Sequence, residues 1–424
     1  MYRSAFLPIL LFVSLLFGAC TQKGDIKIAK GSLSPDEIAA LIPALLDRNA
    51  AIRNGKEWDD VQNFYGTQRQ AIIDDQNALE PRLLMAELFL QEARVTGEHP
   101  HYYPAAMQML DDVLARIPQT DFANLKTEQK DILFRTLAAK ASTQLSLHDF
   151  SNALETAKKA VAINPHNAQI YGALVDANVE LGNYAQAVEM ADKMVSIRPD
   201  LRSYSRVSYL REIYGDVAGS IEALDMAIKA GMPGQEATAW ARLTLGNLHK
   251  TYGDWEKAEM QYQMILAERA DYPFAIAALG EVEMHKKKYE KAEELLNKAT
   301  SIIPEVDFYE TLAHLYKATG RTAEYQALVP EILKMIQMDV DKGHNMSLEL
   351  AMLYTDLLPD NDKALQYTLG EYQKRSANID VNRLLARIYA NKKDFAKAKE
   401  HFVKASVTKS NNPELLELKK ILKG

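Results

Sequence analysis

One sequence phrase recurs along most of the chain and restricts the fold more than any other feature. A helix-like stretch is followed by glycine with asparagine or aspartate, an aromatic residue, two polar residues and a small residue. The small position falls at Ala153, Ala187, Ser220, Ala258, Ala292, Tyr325, Ala364 and Ala398. Most gaps between these positions are 33 or 34 residues, and two are 38 and 39. Because each unit of a repeat array contacts mainly its neighbours, this period predicts a stack of similar units.

Each recurring residue type suits the packing of one helix against another. Large rings begin the second helix, where we expect them in the core between the two helices. These rings are Phe150, Tyr184, Trp255, Tyr289 and Phe395. Glycine ends the first helix because it accepts the left-handed conformation of a C-cap, and proline ends the second helix because it lacks a donor. The glycines are Gly182, Gly215, Gly253 and Gly320, and the prolines are Pro165, Pro199, Pro233 and Pro304.

On these residues, the chain resembles the tetratricopeptide repeat family over residues 134–411, as eight units. Gly246 and Gly280 also fill the glycine position of the first helix in that family. The resemblance implies an all-α fold, an α-solenoid of tandem tetratricopeptide-type helix-turn-helix repeats that forms a right-handed superhelix. Tyr325 is bulky where the family has a small residue. The two longer gaps predict longer connections near residues 231–238 and 338–345.

The region before the repeats, residues 34–133, is predicted to be helical and to contain a degenerate repeat. Ala106 and Pro118 keep the offset between the small residue and the proline that the later units show. Two stretches in this region are predicted to be loops. The first is 99–104, because of its two prolines, and the second is the polar stretch 118–129.

Helix-terminal signals mark the first and last helices of the chain. Ser34 is followed by proline, and a glutamate stands three residues after it, which together form a capping box. This box predicts a helix from Pro35 to Asp47. At the other end, Pro413 opens residues 412–424, which are predicted to form a C-terminal capping helix over the last pair.

The beginning of the chain has the pattern of a secretory signal. Arg3 precedes an apolar run that ends in small residues, which predicts a signal peptide over residues 1–19. A permanent transmembrane helix is the weaker alternative, because the run is shorter than the roughly 20 apolar residues that cross a bilayer.

The segment that ends at Cys20 resembles a bacterial lipobox, although Phe17 stands where that family has an aliphatic residue. The resemblance implies that Cys20, the only cysteine of the chain, carries a lipid. The alternative is a chance cysteine near an ordinary cleavage site. Residues 20–33 are then a lipidated cysteine and a flexible tether. Thr21 stands where an inner-membrane retention signal has aspartate, which favours the outer membrane.

Charge and motif content exclude several functional classes. The net charge of −7 provides no large basic surface, so nucleic-acid binding is not expected. None of the motifs GxGxxG, GxxxxGK[ST], HExxH and GxSxG occurs, so no cofactor and no enzymatic activity are expected. Glu281 with His285, and Glu310 with His314, share helical faces. We expect these pairs to be surface contacts, with no metal bound.

The family resemblance implies a concave groove lined by the first helices of successive repeats. The partner-binding positions of that groove are Arg202, Tyr209, Trp240, Asn247, Lys250, Phe274, Glu281, Glu310, His314, Lys317, Glu349, Arg383 and Arg387. Its later half also collects Asp307, Asp356 and Asp380. Acidic walls favour a partner segment that is rich in lysine or arginine.

Together these features predict a membrane-anchored protein–protein interaction scaffold or adaptor of the bacterial cell envelope, for assembly, secretion or surface-structure biogenesis. Its partners would be a protein or peptide and, through the lipid, a membrane. The alternative is a glycan-capturing lipoprotein similar to starch-utilisation-type proteins, which also carry helix pairs on a lipidated cysteine. That family interrupts its repeats with long aromatic loops, whereas here the repeats are nearly unbroken and only three tryptophans occur. The scaffold is therefore favoured.

Overall fold

The computed structural model describes residues 34–119 and 122–423, so the predicted signal peptide and the whole of residues 20–33, with Cys20 and the tether, lie outside the described residues. Within the described residues the fold comprises 21 α-helices and two short 3-10 helices, with no strand. Each helix packs mainly on its neighbours in sequence. The prediction of an all-α solenoid is confirmed. In the described part of the chain, no helix combines the length and the apolar character that a membrane span needs.

The helices fall into a short N-terminal group, eight pairs and a final helix. The N-terminal group is α1 (Pro35–Leu41), α2 (Lys56–Asp74), α3 (Glu80–Thr96) and α4 (His99–Leu114). The first four pairs are α5 (Thr127–Ser146) with α6 (Phe150–Ile163), α7 (Ala168–Leu181) with α8 (Tyr184–Ile197), α9 (Leu201–Ile213) with α10 (Val217–Ala230), and α11 (Glu236–Thr251) with α12 (Trp255–Glu268). The next four are α13 (Pro273–His285) with α14 (Tyr289–Ile302), α15 (Val306–Ala318) with α16 (Thr322–Asp341), α17 (Ser347–Asp356) with α18 (Asn361–Lys374), and α19 (Ile379–Asn391) with α20 (Phe395–Ala405). The final helix is α21 (Pro413–Ile421).

The recurring small residue lies at the contact between the two helices of a pair. Ala153, Ala258 and Ala292 have no exposed surface, whereas Tyr325 at the equivalent position is half-buried and donates its hydroxyl to the Leu357 carbonyl. The glycine of the first helix marks an equally close approach. A Cβ at Gly246 would lie 2.4 Å from the Tyr262 ring, so the backbone of α11 contacts that ring directly.

The recurring aromatic residues are less uniformly buried than the repeat pattern predicts. Phe150 and Tyr184 are buried, in agreement with a core position. Trp255 is half-buried but packs against the core cluster of α11 to α13. Tyr289 is only half-buried and Phe395 is 46% exposed, so the prediction of a core position is wrong for these two residues. In the later pairs the ring therefore covers the edge of the helix contact instead of filling its centre.

Two local predictions in the N-terminal region are wrong. α1 ends at Leu41, six residues before the predicted end, because Pro43 cannot donate to the helix. Residues 99–104 are not a loop but the start of α4. Pro100 lies in the first turn, where no intrahelical donor is required, and Tyr102 and Tyr103 gain burial from the helix. The second long gap is the one between Tyr325 and Ala364. Its extra residues extend α16 to Asp341, so the connection that follows α16 is shorter than predicted.

The segment between α1 and α2 is extended and is held by a buried ion pair. The Arg48 side chain has no exposed surface and donates to the two oxygens of Glu92, at 2.8 and 2.6 Å. Arg48 also donates to Glu57 at 2.8 Å. Side chains of α2 and α4 hold the backbone of the segment, since Tyr65 donates to the Pro43 carbonyl and the Leu46 N–H donates to the Tyr102 hydroxyl. Side-chain hydrogen bonds and ion pairs therefore fix the position of this segment in the fold.

The solenoid coils until its later pairs contact its earlier ones. The ends of the first helices α3, α5, α7 and α9 meet the connections that precede α15, α17, α19 and α21. The meeting residues are Gly97 with Glu305, His148 with Asn345, Gly182 with Ala377, and Gly215 with Asn411. We call this line of contacts the seam. Hydrogen bonds across its last three contacts join residues 195 to 198 positions apart, which corresponds to about six repeats of about 34 residues per superhelical turn.

The contact at Gly182 is the most closely built part of the seam. A Cβ at Gly182 would lie 2.5 Å from the Ala377 carbonyl carbon. Beside it, Arg375 pairs with Glu180, and the Ile379 N–H donates to the Tyr184 hydroxyl at 2.7 Å. The Ile379 side chain is buried in the same cluster as Tyr184. Successive turns of the superhelix therefore contact each other directly through backbone and side chains.

Candidate functional site

The predicted groove residues lie on the first helices of six successive pairs, from α9 to α19. All of them are exposed or half-buried. We call this surface the inner face. Desolvation, with the charges of Asp380 and Glu180, raises the pKa of Tyr209, although the residue is 40% exposed. The seam joins successive turns of the coil beside this face.

An aromatic row crosses the inner face at α11, α13 and α15. The Trp240 and Phe274 rings meet edge to face at 5.5 Å, and the Phe274 and Phe308 rings do so at 5.5 Å. Phe308 is buried, Phe274 is half-buried, and the Trp240 side chain is 50% exposed. The row therefore anchors one large exposed aromatic surface, at Trp240, on a fixed support. Tyr209, on α9, adds a second exposed ring.

Ion pairs neutralise much of the predicted acidic wall. Lys250 binds Glu281 at 2.6 Å, and Arg383 binds Asp380 at 2.6 Å. Arg387 binds Asp356. Glu414 of α21 accepts from Arg383 and Arg387 as well, so the two arginines that were predicted for the partner are bound within the chain. Lys317 donates to backbone carbonyls that end α17.

Two carboxyl groups at α15 stand apart from these ion pairs. In the described part of the chain, neither Asp307 nor Glu310 forms an ion pair. Burial, with the charges of Asp307 and Glu349, raises the pKa of Glu310 to about 8. Burial, Glu349 and Glu281 likewise raise the pKa of Asp307. A pKa of about 8 means that Glu310 is largely protonated at neutral pH, and a cation placed beside it would lower that pKa and favour the carboxylate.

The two glutamate–histidine spacings do not bring their members into one site. Glu281 is bound to Lys250, whereas the His285 ring stacks on Trp255 at 4.0 Å. His314 is exposed at its surface, and partial desolvation of its ring, with the charge of Lys317, lowers its pKa. Among residues 34–119 and 122–423, no three His, Cys, Asp or Glu side chains are arranged to hold a metal ion.

The seam is the functional feature that the sequence interpretation missed. Its contacts join positions almost 200 residues apart, and no periodic signal in the sequence indicates such pairs. Gly182 carries a positive φ of 82°, as a C-cap predicts, but Gly253 and Gly320 share that conformation without any neighbour within 4 Å. The glycine pattern therefore indicates helix ends and gives no information on which ends touch.

Comparison with known proteins supports the repeat assignment. Family profiles described as "Tetratricopeptide repeat" match residues 144–212, 275–305 and 381–406. Lipopolysaccharide assembly protein B of Escherichia coli (strain K12) is 28% identical over 180 residues, which is 38% of this chain and 43% of that protein. Superkiller complex protein 3 of Homo sapiens is 28% identical over 140 residues, which is 33% of this chain and 9% of that protein. The chain thus spans less than half the length of these relatives.

Solved structures with a related arrangement include PilW, described as a widely conserved type IV pilus biogenesis factor. It is 17% identical, with a TM-score of 0.39, over 55% of this chain and 97% of that chain. The matched profiles, the helix pairs and the buried small positions support one conclusion: residues 144–212, 275–305 and 381–406 are tetratricopeptide repeats, set within a row of similar helix pairs.

Proposed function

We propose that the protein is a protein-interaction scaffold of the bacterial cell envelope, anchored to the outer membrane by a lipid on Cys20. The observation that supports a binding role best is the exposed Trp240 ring on its aromatic support, beside two unpaired carboxylates. Large aromatic side chains of this kind dominate the energy of protein interfaces. The proposal assigns binding, and no catalytic step, to the chain.

The partner in this proposal is an extended segment that carries lysine or arginine. Asp307 and Glu310 form no ion pair among the described residues, so a cationic side chain placed beside them would lower their raised pKa values and favour their charged form. The inner face presents its exposed and half-buried side chains along six successive first helices, which suits an extended segment better than a folded domain. Only this narrower acidic region, and not the whole later half, supports the charge preference.

The envelope assignment is supported by two observations of different kinds. The leader pattern ends at the only cysteine, and the relative from Escherichia coli is named for lipopolysaccharide assembly. The Cys20→Ser variant tests the anchor. We expect this variant to stay unprocessed or to leave the membrane fraction, and a protein that still sediments with outer membranes after a high-salt wash would exclude lipid anchoring at Cys20.

Site-specific photocrosslinking in cells tests the binding surface. A photoreactive residue at Trp240 should give a discrete crosslinked protein product. The matched control is Met260, which is exposed to a similar extent, 48%, on the second helix α12. We expect no discrete product from Met260. Equal products from both positions, or none from Trp240, would mean that the inner face is not the binding surface.

The charge preference and the glycan alternative are tested on the purified protein. Once a partner is known, Glu310→Lys should slow association and weaken its salt dependence, whereas Trp240→Ala should mainly speed dissociation. Calorimetry with soluble oligosaccharides separates the second class of function. A saturable oligosaccharide heat that Trp240→Ala removes would favour glycan capture over the protein scaffold.

A further inference from the structure

A cluster of histidines and carboxylates lies at the centre of the seam. The His344 ring packs edge to face on His148 at 4.6 Å, and on Tyr103 at 6.3 Å. His148 donates from Nδ1 to the Asn345 carbonyl at 3.0 Å, with Glu349 Oε1 at 3.6 Å from the same nitrogen. Asp339 Oδ1 lies 3.5 Å from His344 Nδ1, beyond a well-formed hydrogen bond. The cluster therefore joins α4 and α5 of the first turn to α16 and α17 of the second.

Several polar atoms of this cluster are buried without a hydrogen-bond partner. Within the described residues they are both ring nitrogens of His344, one oxygen of Asp339 and one oxygen of Glu349. The His344 side chain is only 10% exposed, so bulk water does not reach these atoms in the closed coil. Buried polar atoms without partners are costly, and separation of the two turns would hydrate all of them.

The stacking of neighbouring helices has a different chemistry. Within a turn, the helices of a pair meet through fully buried small or apolar residues such as Ala292 and Leu296. At the seam, contact is confined mainly to helix ends and connections. Ile379, the pair of Arg375 with Glu180, and the packing of Ile52 on Ile276 and Ile303 hold the closed form, whereas the unpartnered polar atoms around His344 oppose it. Parting of the seam exposes this limited apolar set and leaves the apolar cores within the helix pairs intact.

We propose that the seam parts reversibly in the native protein, and that this motion opens the inner face while the helix pairs stay stacked. The role of the motion in partner entry rests on the proposed function, but the motion itself does not. In the open form α3, α5, α7 and α9 separate from the connections before α15, α17, α19 and α21. The inner face then becomes accessible from the side to an internal segment of a partner, without a need to thread a free end.

Hydrogen exchange of the full chain, without any partner, measures the opening directly. The Asn345 N–H donates across the seam to the Leu147 carbonyl at 3.1 Å. We expect this amide to exchange at least tenfold faster than helix amides around Ala292, which lie in a pair that stays stacked. Exchange of the Asn345 amide as slow as that of the α14 core would overturn the proposal.

A disulfide across the seam provides the matched test. A Cβ at Gly97 would lie 3.6 Å from the Ile303 Cβ, within the range of a disulfide. In a Cys20→Ser background, Gly97→Cys with Ile303→Cys should slow exchange at Asn345 at least tenfold when oxidised. Reduction of the same variant is the control and should restore fast exchange. An oxidised protein with unchanged exchange at Asn345 would contradict an opening of the whole seam.

Tyr184→Phe tests cooperativity if strain at Gly97 prevents the disulfide. It removes only the hydroxyl that accepts from the Ile379 N–H. If the seam opens as one unit, exchange should rise severalfold at both Ile379 and Asn345. Faster exchange at Ile379 alone would show local fraying and would refute the proposal. Neither arm involves a partner, so failure of the scaffold hypothesis would leave these results unaffected.

Discussion

Replacement of Gly182 by alanine tests the seam with a single methyl group. Gly182 and Gly253 both follow a first helix with a positive φ, 82° and 86°. Alanine at either position adopts a left-handed conformation, which costs about 1–2 kcal/mol and is partly offset by the smaller freedom of the unfolded chain. At Gly253 nothing lies within 4 Å of the new Cβ, so we expect a loss of about 1 kcal/mol there.

At Gly182 the same methyl group also meets the second turn. Its Cβ would lie 2.5 Å from the Ala377 carbonyl carbon and 2.7 Å from the Ala377 Cβ. Both neighbours are rigid, so backbone must move by a large fraction of an ångström. Overpacking of this kind costs about 1–3 kcal/mol, which gives an expected total of about 2–4 kcal/mol, unless the seam opens first and limits the loss.

The assay combines urea unfolding with hydrogen exchange, because long repeat arrays depart from two-state unfolding. Gly182→Ala should lower the unfolding midpoint more than Gly253→Ala does. It should also speed exchange of the Ile379 amide, which donates to Tyr184 across the seam. Gly253→Ala should leave that amide unchanged. Equal midpoints for the two variants, with equal protection at Ile379, would show that the two turns do not touch in solution.

Three further changes test other parts of the structure. Ala292→Phe should lower stability by about 1–3 kcal/mol or more in a thermal melt, because this fully buried position has no room, and an unchanged melt would refute the repeat register. Arg48→Ala should cost about 3–5 kcal/mol in urea by leaving Glu92 buried and unpaired, whereas the exposed pair of Arg53 should contribute under about 1 kcal/mol. Glu310→Gln should match the parent at pH 4 and exceed it in stability above pH 8. The raised pKa of about 8 means that the stability contribution of Glu310 is complete below pH 4.5 and is lost as pH rises towards 8. A stability difference that does not change with pH would rule out this burial of charge.

Local rules account for the parts of the fold that the sequence predicts well. The register of Ala258 and Ala292, and the glycine ends of the first helices, follow from packing within one repeat. The rules fail where tertiary contacts override them. Two prolines in 99–104 suggest a loop, but the helix that forms there buries Tyr102 and Tyr103, and this burial stabilises it. Trp255 stands at a core position of the repeat, yet its side chain is only half-buried and its ring stacks on the exposed ring of His285.

The binding positions could be placed on the inner face from the repeat register, but their pairing could not. Whether a carboxylate is free depends on the residue opposite it on the next helix. Lys250 and Glu281 form a pair between α11 and α13. Arg387 and Asp356 do so between α19 and α17, where sequence reasoning placed both residues without joining them. The acidic wall was therefore overestimated, because single positions were counted without their partners.

The interruption of this pairing explains where the unpaired charge lies. Lys250 of α11 and Glu281 of α13 form a salt bridge between neighbouring repeats. One repeat later, the equivalent positions are Met284 and His314, 34 and 33 residues further along the chain, so this salt bridge is not repeated. Lys317, the following cation in this register, is directed to the carbonyls of Asp356 and Leu357. Lys250 is paired with Glu281 and acts on Asp307 only through its charge, so neither Asp307 nor Glu310 has an ion-pair partner among the described residues. The missing salt bridge lies on α13 and α15, which also carry part of the aromatic row. The apolar anchor and the unpaired carboxyl groups therefore lie on neighbouring helices of the inner face, as a single extended cationic segment would require.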